Sequence, residues 1–154
     1  MTDVAYDSTQ DTLAHIRRVQ ELLAEFASEL TRRGIVHDES KLLSPEKECF
    51  DEITPMLKGV TYGSEEYQAT LRRMKPAIEH HQKANSHHPE FYENGINGMT
   101  LFDLVEMWCD WRAASERHAD GSTKRSIEVN RERFGISEQL VAIMENTRQE
   151  MGWK

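Results

Sequence analysis

The stretch Ile16-Arg17-Arg18-Val19-Gln20-Glu21-Leu22-Leu23-Ala24-Glu25-Phe26-Ala27-Ser28-Glu29-Leu30 decides the fold class. Its apolar residues Ile16, Val19, Leu23, Phe26 and Leu30 recur at spacings of three and four, which puts them on one stripe of a helix. Ser8 or Thr9 can cap this helix, and Gly34 can end it near Arg33. Residues 1–7 read as a loose tail. His15 borders the apolar stripe, and Arg18 lies one turn further on the same side.

Helical periodicity returns down the chain, and strict period-two alternation is absent. Ser44-Pro45-Glu46 marks a helix start, with serine as cap and proline in the first turn. Thr54 to Ser64, with Pro55, Gly59 and Gly63, reads as a loop. A long helix from Ser64 carries Tyr67, Leu71, Met74, Ile78 and His81 on one stripe, with His80 turned about 100° away. Pro76 is expected to bend it and Pro89 to stop it near His88. After the turn-rich loop Glu93 to Gly98, Thr100 caps a helix from about Leu101 to His118, with Asp103 as its capping partner. Leu101, Leu104, Val105, Trp108 and Trp111 cover a wide arc of that helix, a surface that could also bury against a second subunit in a homodimer. A helix with Ile127 and Phe134 follows Gly121-Ser122-Thr123 and ends at Gly135. The last helix opens at Ser137 and carries Leu140, Val141, Met144 and Met151. The expectation is an all-α, single-domain bundle of about six helices over residues 8–154.

A chain of 154 residues can bury a core without disulfide or metal staples. Cys49 and Cys109 are far apart in sequence, form no Cys-x-x-Cys unit, and read as reduced thiols of a cytoplasmic protein. Met1 to Asp7 has no basic or apolar leader character, and no run approaches the roughly 18 apolar residues of a membrane span. The expected location is therefore the cytoplasm, that of the host if the gene is phage-borne, with no membrane partner. A net charge of -8 argues against general nucleic-acid binding, which relies on Lys and Arg. An anionic ligand would need a metal or a local basic cluster, and Lys124, Arg125, Arg131 and Arg133 are the densest one.

The chemistry centres on His37-Asp38-Glu39-Ser40-Lys41, where an imidazole and a carboxylate can serve one divalent ion. Asp110 falls among Met107, Trp108, Trp111 and Ala114, an apolar setting that is costly for a carboxylate unless it is paired or ligates a cation. His15, His37, Asp38 and Asp110 bring ligands from separate helices, as helical bundles do when they build a metal site. Lys41 can donate to a phosphate or a leaving oxygen, and Glu46 is the nearest downstream carboxylate for a general base or water-orienting group. His80, His81 and His88 can form a second metal site or hold a substrate phosphate. Arg18, Asn85, His87, Lys124 and Arg125 are further candidates for substrate contact. The identity of the ion is open, since nitrogen and oxygen ligands suit several ions.

The order His15, His37-Asp38, Asp110 resembles the HD superfamily of metal-dependent phosphohydrolases. His37-Asp38-Glu39-Ser40-Lys41 is similar to the H-D-x-x-K signature of the HD-GYP cyclic-dinucleotide phosphodiesterases, and His80-His81 to their paired histidines. The wording H-D-x-S-K, H-H-x-x-x-N-x-H-H-P-E and E-M-x-C-D-W also resembles a family of uncharacterised bacterial and phage proteins. The HD resemblance implies an α-helical fold, a divalent ion such as Mn, Co, Mg, Zn or Fe, and phosphoester hydrolysis, with small members that include nucleotidases acting on deoxynucleoside monophosphates. The leading expectation is therefore hydrolysis of a phosphate ester of a small nucleotide by metal-activated water. An HD-type di-iron oxygenase, with His81 and His88 as extra ligands, is a second possibility. A non-catalytic acidic helical interaction protein with structural histidines is the third.

Overall fold

The computed structural model describes residues 6–58, 65–117 and 121–154. These residues form six α-helices joined by short 3-10 turns, with no strand among them, as the periodicity predicts. The chain divides into two compact units, 1–36 and 37–154. No helix among the described residues is long and apolar enough to cross a membrane. Cys49 and Cys109 are free thiols.

The first unit is a single long helix, α1 (Thr9–Val36), with no buried residue. Asp7 closes its first turn by accepting the Thr9 amide at 3.0 Å and the Thr9 hydroxyl at 2.6 Å, while the Ser8 carbonyl accepts the Thr12 amide. The helix continues through Gly34, where the sequence predicts its end. A glycine within a helix costs only about 1 kcal/mol relative to alanine, so it permits a stop without imposing one.

In the second unit α2 (Glu46–Lys58) packs along α3 (Glu65–Ala84), and Ile53, Met74 and Ala77 are buried. α2 contains Pro55 and so extends one turn into the predicted loop, because a proline there removes a single donor from the helix. Gly59 and Gly63 of that loop, like the Tyr67 side chain, lie outside the described residues. The remaining α3 stripe is as predicted, with Met74 and His81 buried and Leu71 and Ile78 half-buried. α3 ends at Ala84, four residues before the predicted stop. Asn85 closes the last turn: its backbone amide and its side-chain amide both donate to the His81 carbonyl, at 3.1 and 2.8 Å.

α4 (Leu101–Ser115), α5 (Thr123–Phe134) and α6 (Glu138–Glu150) enclose a core of Trp108, Ile127 and Met144, flanked by Trp111, Leu140, Val141 and Trp153. α5 and α6 therefore cover part of the arc that the sequence offered to a second subunit. Ser137 caps α6 as predicted, accepting from the Leu140 amide, and Ser122 of the predicted break caps α5, accepting from the Arg125 amide. Gly135 ends α5 with φ at 61°, a left-handed conformation that glycine adopts without steric cost. His118, where α4 was expected to end, lies outside the described residues.

The segment between α3 and α4 is held by Asp103. Its carboxylate accepts from the Ser86 hydroxyl at 2.7 Å, the Tyr92 hydroxyl at 2.8 Å, the Thr100 amide at 2.8 Å and the Thr100 hydroxyl at 2.6 Å. Thr100 in turn accepts the Asp103 amide, completing the predicted capping box. Gly98 lies against Tyr92: a Cβ there would stand 2.8 Å from Tyr92 Cβ and 2.9 Å from its Cγ. Those atoms sit next to the backbone and cannot swing aside. Gly98→Ala is expected to destabilise the protein by about 2 kcal/mol, read as a lower urea midpoint. An unchanged midpoint would show that the loop yields to the methyl group.

Candidate metal centre

Five stretches of the second unit meet at one place: His37 to Lys41, the start of α2, the last turn of α3, the turn after it, and the middle of α4. Asp38 is the one non-glycine residue with positive φ among those described, at 58°. A short polar side chain tolerates this left-handed conformation better than most. The backbone then folds into the 3-10 turn Glu39–Leu42, and Lys41 Nζ comes to 2.5 Å from Asp38 Oδ2.

A buried glutamate, Glu46, and a partly buried one, Glu106, set the rings. Glu46, at 0% exposure, lies 2.7 Å from His80 Nδ1 through Oε1 and 2.9 Å from His81 Nδ1 through Oε2. Glu106 Oε1 lies 2.9 Å from His37 Nδ1 and 3.1 Å from His87 Nδ1. An ionised carboxylate only accepts, so these Nδ1 atoms carry the protons and, in a neutral ring, Nε2 keeps its lone pair. A carboxylate behind a histidine in this way orients metal-binding imidazoles and raises their basicity.

The Nε2 atoms converge on Asp38. His81 Nε2 is 3.1 Å and His87 Nε2 is 3.4 Å from Asp38 Oδ1. His88 stands beside both, with ring centroids 4.8 Å from His81 and 4.3 Å from His87. Asp38 Oδ1 and the Nε2 atoms of His81, His87 and His88 are all buried without a hydrogen-bond partner, so the short approaches lack hydrogen-bond geometry. One ligand atom from each of the four residues lies within 4.8 Å of the others. His37, His87 and Asp110 form an adjoining group, with His37 Nε2 3.6 Å from both Asp110 Oδ1 and Asp38 Oδ2. Four orphaned atoms on residues gathered this closely, three nitrogens and one oxygen, fit the donor set of a borderline divalent ion.

Charge is divided unevenly among these groups. Asp110 and Glu106 raise the His37 pKa to about 10, against the opposing effect of burial. Burial pulls the His87 pKa down, but Asp38 and Glu106 outweigh it and the net shift is upward. Burial, together with the neighbouring His87 and His81, pushes His88 down to about 3, so His88 is neutral and available as a ligand at pH 7. Burial raises the Asp38 carboxyl, yet the neighbouring His81, His87 and Lys41 outweigh it and bring it below the ordinary range. Asp110 is lowered in the same way, with His37 outweighing burial.

The sequence-predicted residues fall into three groups. His37, Asp38, Lys41, Glu46, His81, His88 and Asp110 come together, though Glu46 is enclosed behind His80 and His81. His87, expected as a substrate contact, lies at the centre with 2% exposure. His80 is half exposed on the far side of Glu46, and Asn85 serves the fold by donating to Ser40 Oγ at 2.8 Å and to the end of α3. His15 and Arg18 belong to α1, where both are exposed and Arg18 pairs with Glu21 and Glu25 of its own helix. Lys124 and Arg125 are exposed on α5, which supplies no residue of the cluster, and Arg131 and Arg133 are paired with Glu138 and Glu90. Glu106 was given no role by sequence reasoning. Its signal was its place one helical turn before Asp110, on the same face of α4.

Fold and cluster together define an all-helical protein with a histidine–aspartate group able to hold a metal ion. The chain belongs to a family of unknown function, DUF5662, whose model matches residues 4–150. No curated protein and no solved structure matches it.

Proposed function

We propose that the chain holds a divalent ion through Asp38 Oδ1 and the Nε2 atoms of His81, His87 and His88, and that it hydrolyses a phosphate ester of a small nucleotide. The observation that carries the metal reading is the set of four buried, unpartnered ligand atoms, two of them on rings whose other nitrogen is fixed by Glu46 or Glu106. A divalent ion at such a place lowers the pKa of water and neutralises charge on a phosphoryl oxygen. The chain's own residues supply the rest. Lys41 stands at Asp38 with a third of its side chain exposed, so its ammonium can face an anionic substrate. Glu46 and Glu106 are positioning residues: each fixes the ring of a proposed ligand, and the 0% exposure of Glu46 keeps it from substrate. The hydrolytic part of the proposal is supported by the resemblance of the His37-Asp38 and Asp110 order to HD phosphohydrolases, whose three residues lie side by side here.

The test is phosphate release from a panel of nucleoside and deoxynucleoside monophosphates and cyclic dinucleotides. The protein is assayed after loading with Mn, Co, Zn or Fe, and again after chelation. Release that disappears on chelation and returns with one ion is the expected result. A protein that binds metal and releases no phosphate from any member of the panel would remove the hydrolase reading and leave the metal centre standing.

A further inference from the structure

We infer that Lys41 stands where a second cation would act, so that the centre takes one divalent ion per chain; this rests on the metal reading above. The two ligand groups share His87, and its Nε2 has one lone pair, which serves one ion. Once His87 joins Asp38, His81 and His88, the adjoining group keeps His37 Nε2, Asp110 Oδ1 and the second oxygen of Asp38. These atoms are close enough to form a second position, with His37 Nε2 3.6 Å from each oxygen. Asp38 Oδ2, the oxygen that would bridge to a second ion, already carries the Lys41 ammonium at 2.5 Å.

Lys41 is built into that position. Its amide bonds to the Asp38 carbonyl at 2.9 Å, and its ammonium lies 5.6 Å from the centre of the Phe50 ring. The ammonium thus occupies the Asp38 oxygen that a second dication would need, and it repels such an ion at contact range. In a two-metal hydrolase the second ion neutralises charge on the reacting phosphoryl group, and here Lys41 takes that role.

Protein stripped with a chelator is titrated with Zn2+ against a chromophoric competitor, counting ions bound more tightly than about 1 μM. Wild type is expected to take one ion per chain, Lys41→Met and Lys41→Gln two, and Lys41→Arg one, because arginine keeps the charge. Two ions in wild type, or one in both neutral variants, would overturn the inference while leaving the metal reading intact. No ion in wild type would overturn the metal reading and this inference with it. One ion in wild type also argues against the di-iron oxygenase reading.

Discussion

Asp38→Gly is expected to abolish metal uptake while leaving the backbone in place, lowering affinity by at least about a thousandfold. Asp38 is the only anion in the four-residue group, and its Oδ1 lies against two of the three imidazoles. Its loss leaves a ring of histidines with no charge to offset the ion, and it also frees Lys41. Glycine is the informative replacement because it adopts a φ of 58° without the steric cost that alanine would bear. Glu106→Gln in the same assay should cost less, about 10- to 100-fold, since the rings keep a partner of altered polarity. Metal content after desalting and circular dichroism of the metal-free protein read the two effects apart. Stoichiometric metal in folded Asp38→Gly would place the ion elsewhere in the chain.

Asp103→Ala carries the largest expected loss of stability, about 3 kcal/mol or roughly 10 °C in Tm. The carboxylate is 2% exposed and accepts four hydrogen bonds, so its removal leaves the Thr100 amide and three hydroxyls without their acceptor. Burial opposes its ionisation, but hydrogen bonds from Thr100, Ser86 and Tyr92 prevail and bring its pKa down to about 2. A carboxyl with a depressed folded-state pKa stabilises the protein above its unfolded value, near 3.9, and loses that contribution as pH falls toward 2. The difference is worth about 2 kcal/mol, so the gap in stability between wild type and Asp103→Ala should narrow from pH 5 to pH 2. Urea unfolding at several pH values measures it, and a gap independent of pH would mean that the charge of Asp103 contributes nothing.

The helices were legible because their apolar spacing and caps are local: Thr100 with Asp103, Ser137 and Gly135 act where the sequence places them. Their ends were less so. Gly34 and Pro55 permit a stop without forcing one, and the end of α3 depends on Asn85, a residue that also makes a hydrogen bond to distant Ser40. That early end takes His87 and His88 out of the helix, so the helical stripe that placed His81 could not place them. The joining of His37, Asp38 and Asp110 could be read from residue type and apolar context. The enclosed position of Glu46 could not, and Glu106 showed only in its place one turn before Asp110, because which imidazole a carboxylate stands behind is settled by tertiary packing.

The gathering of Trp108, Trp111 and Trp153 around the α4–α6 core gives the protein an optical reporter of its own. All three indoles of the chain belong to that core, and none is among the candidate ligands. Intrinsic fluorescence therefore follows the integrity of the three C-terminal helices. A variant with native emission and no bound ion has lost its centre alone, and one with shifted emission has lost the scaffold beneath it.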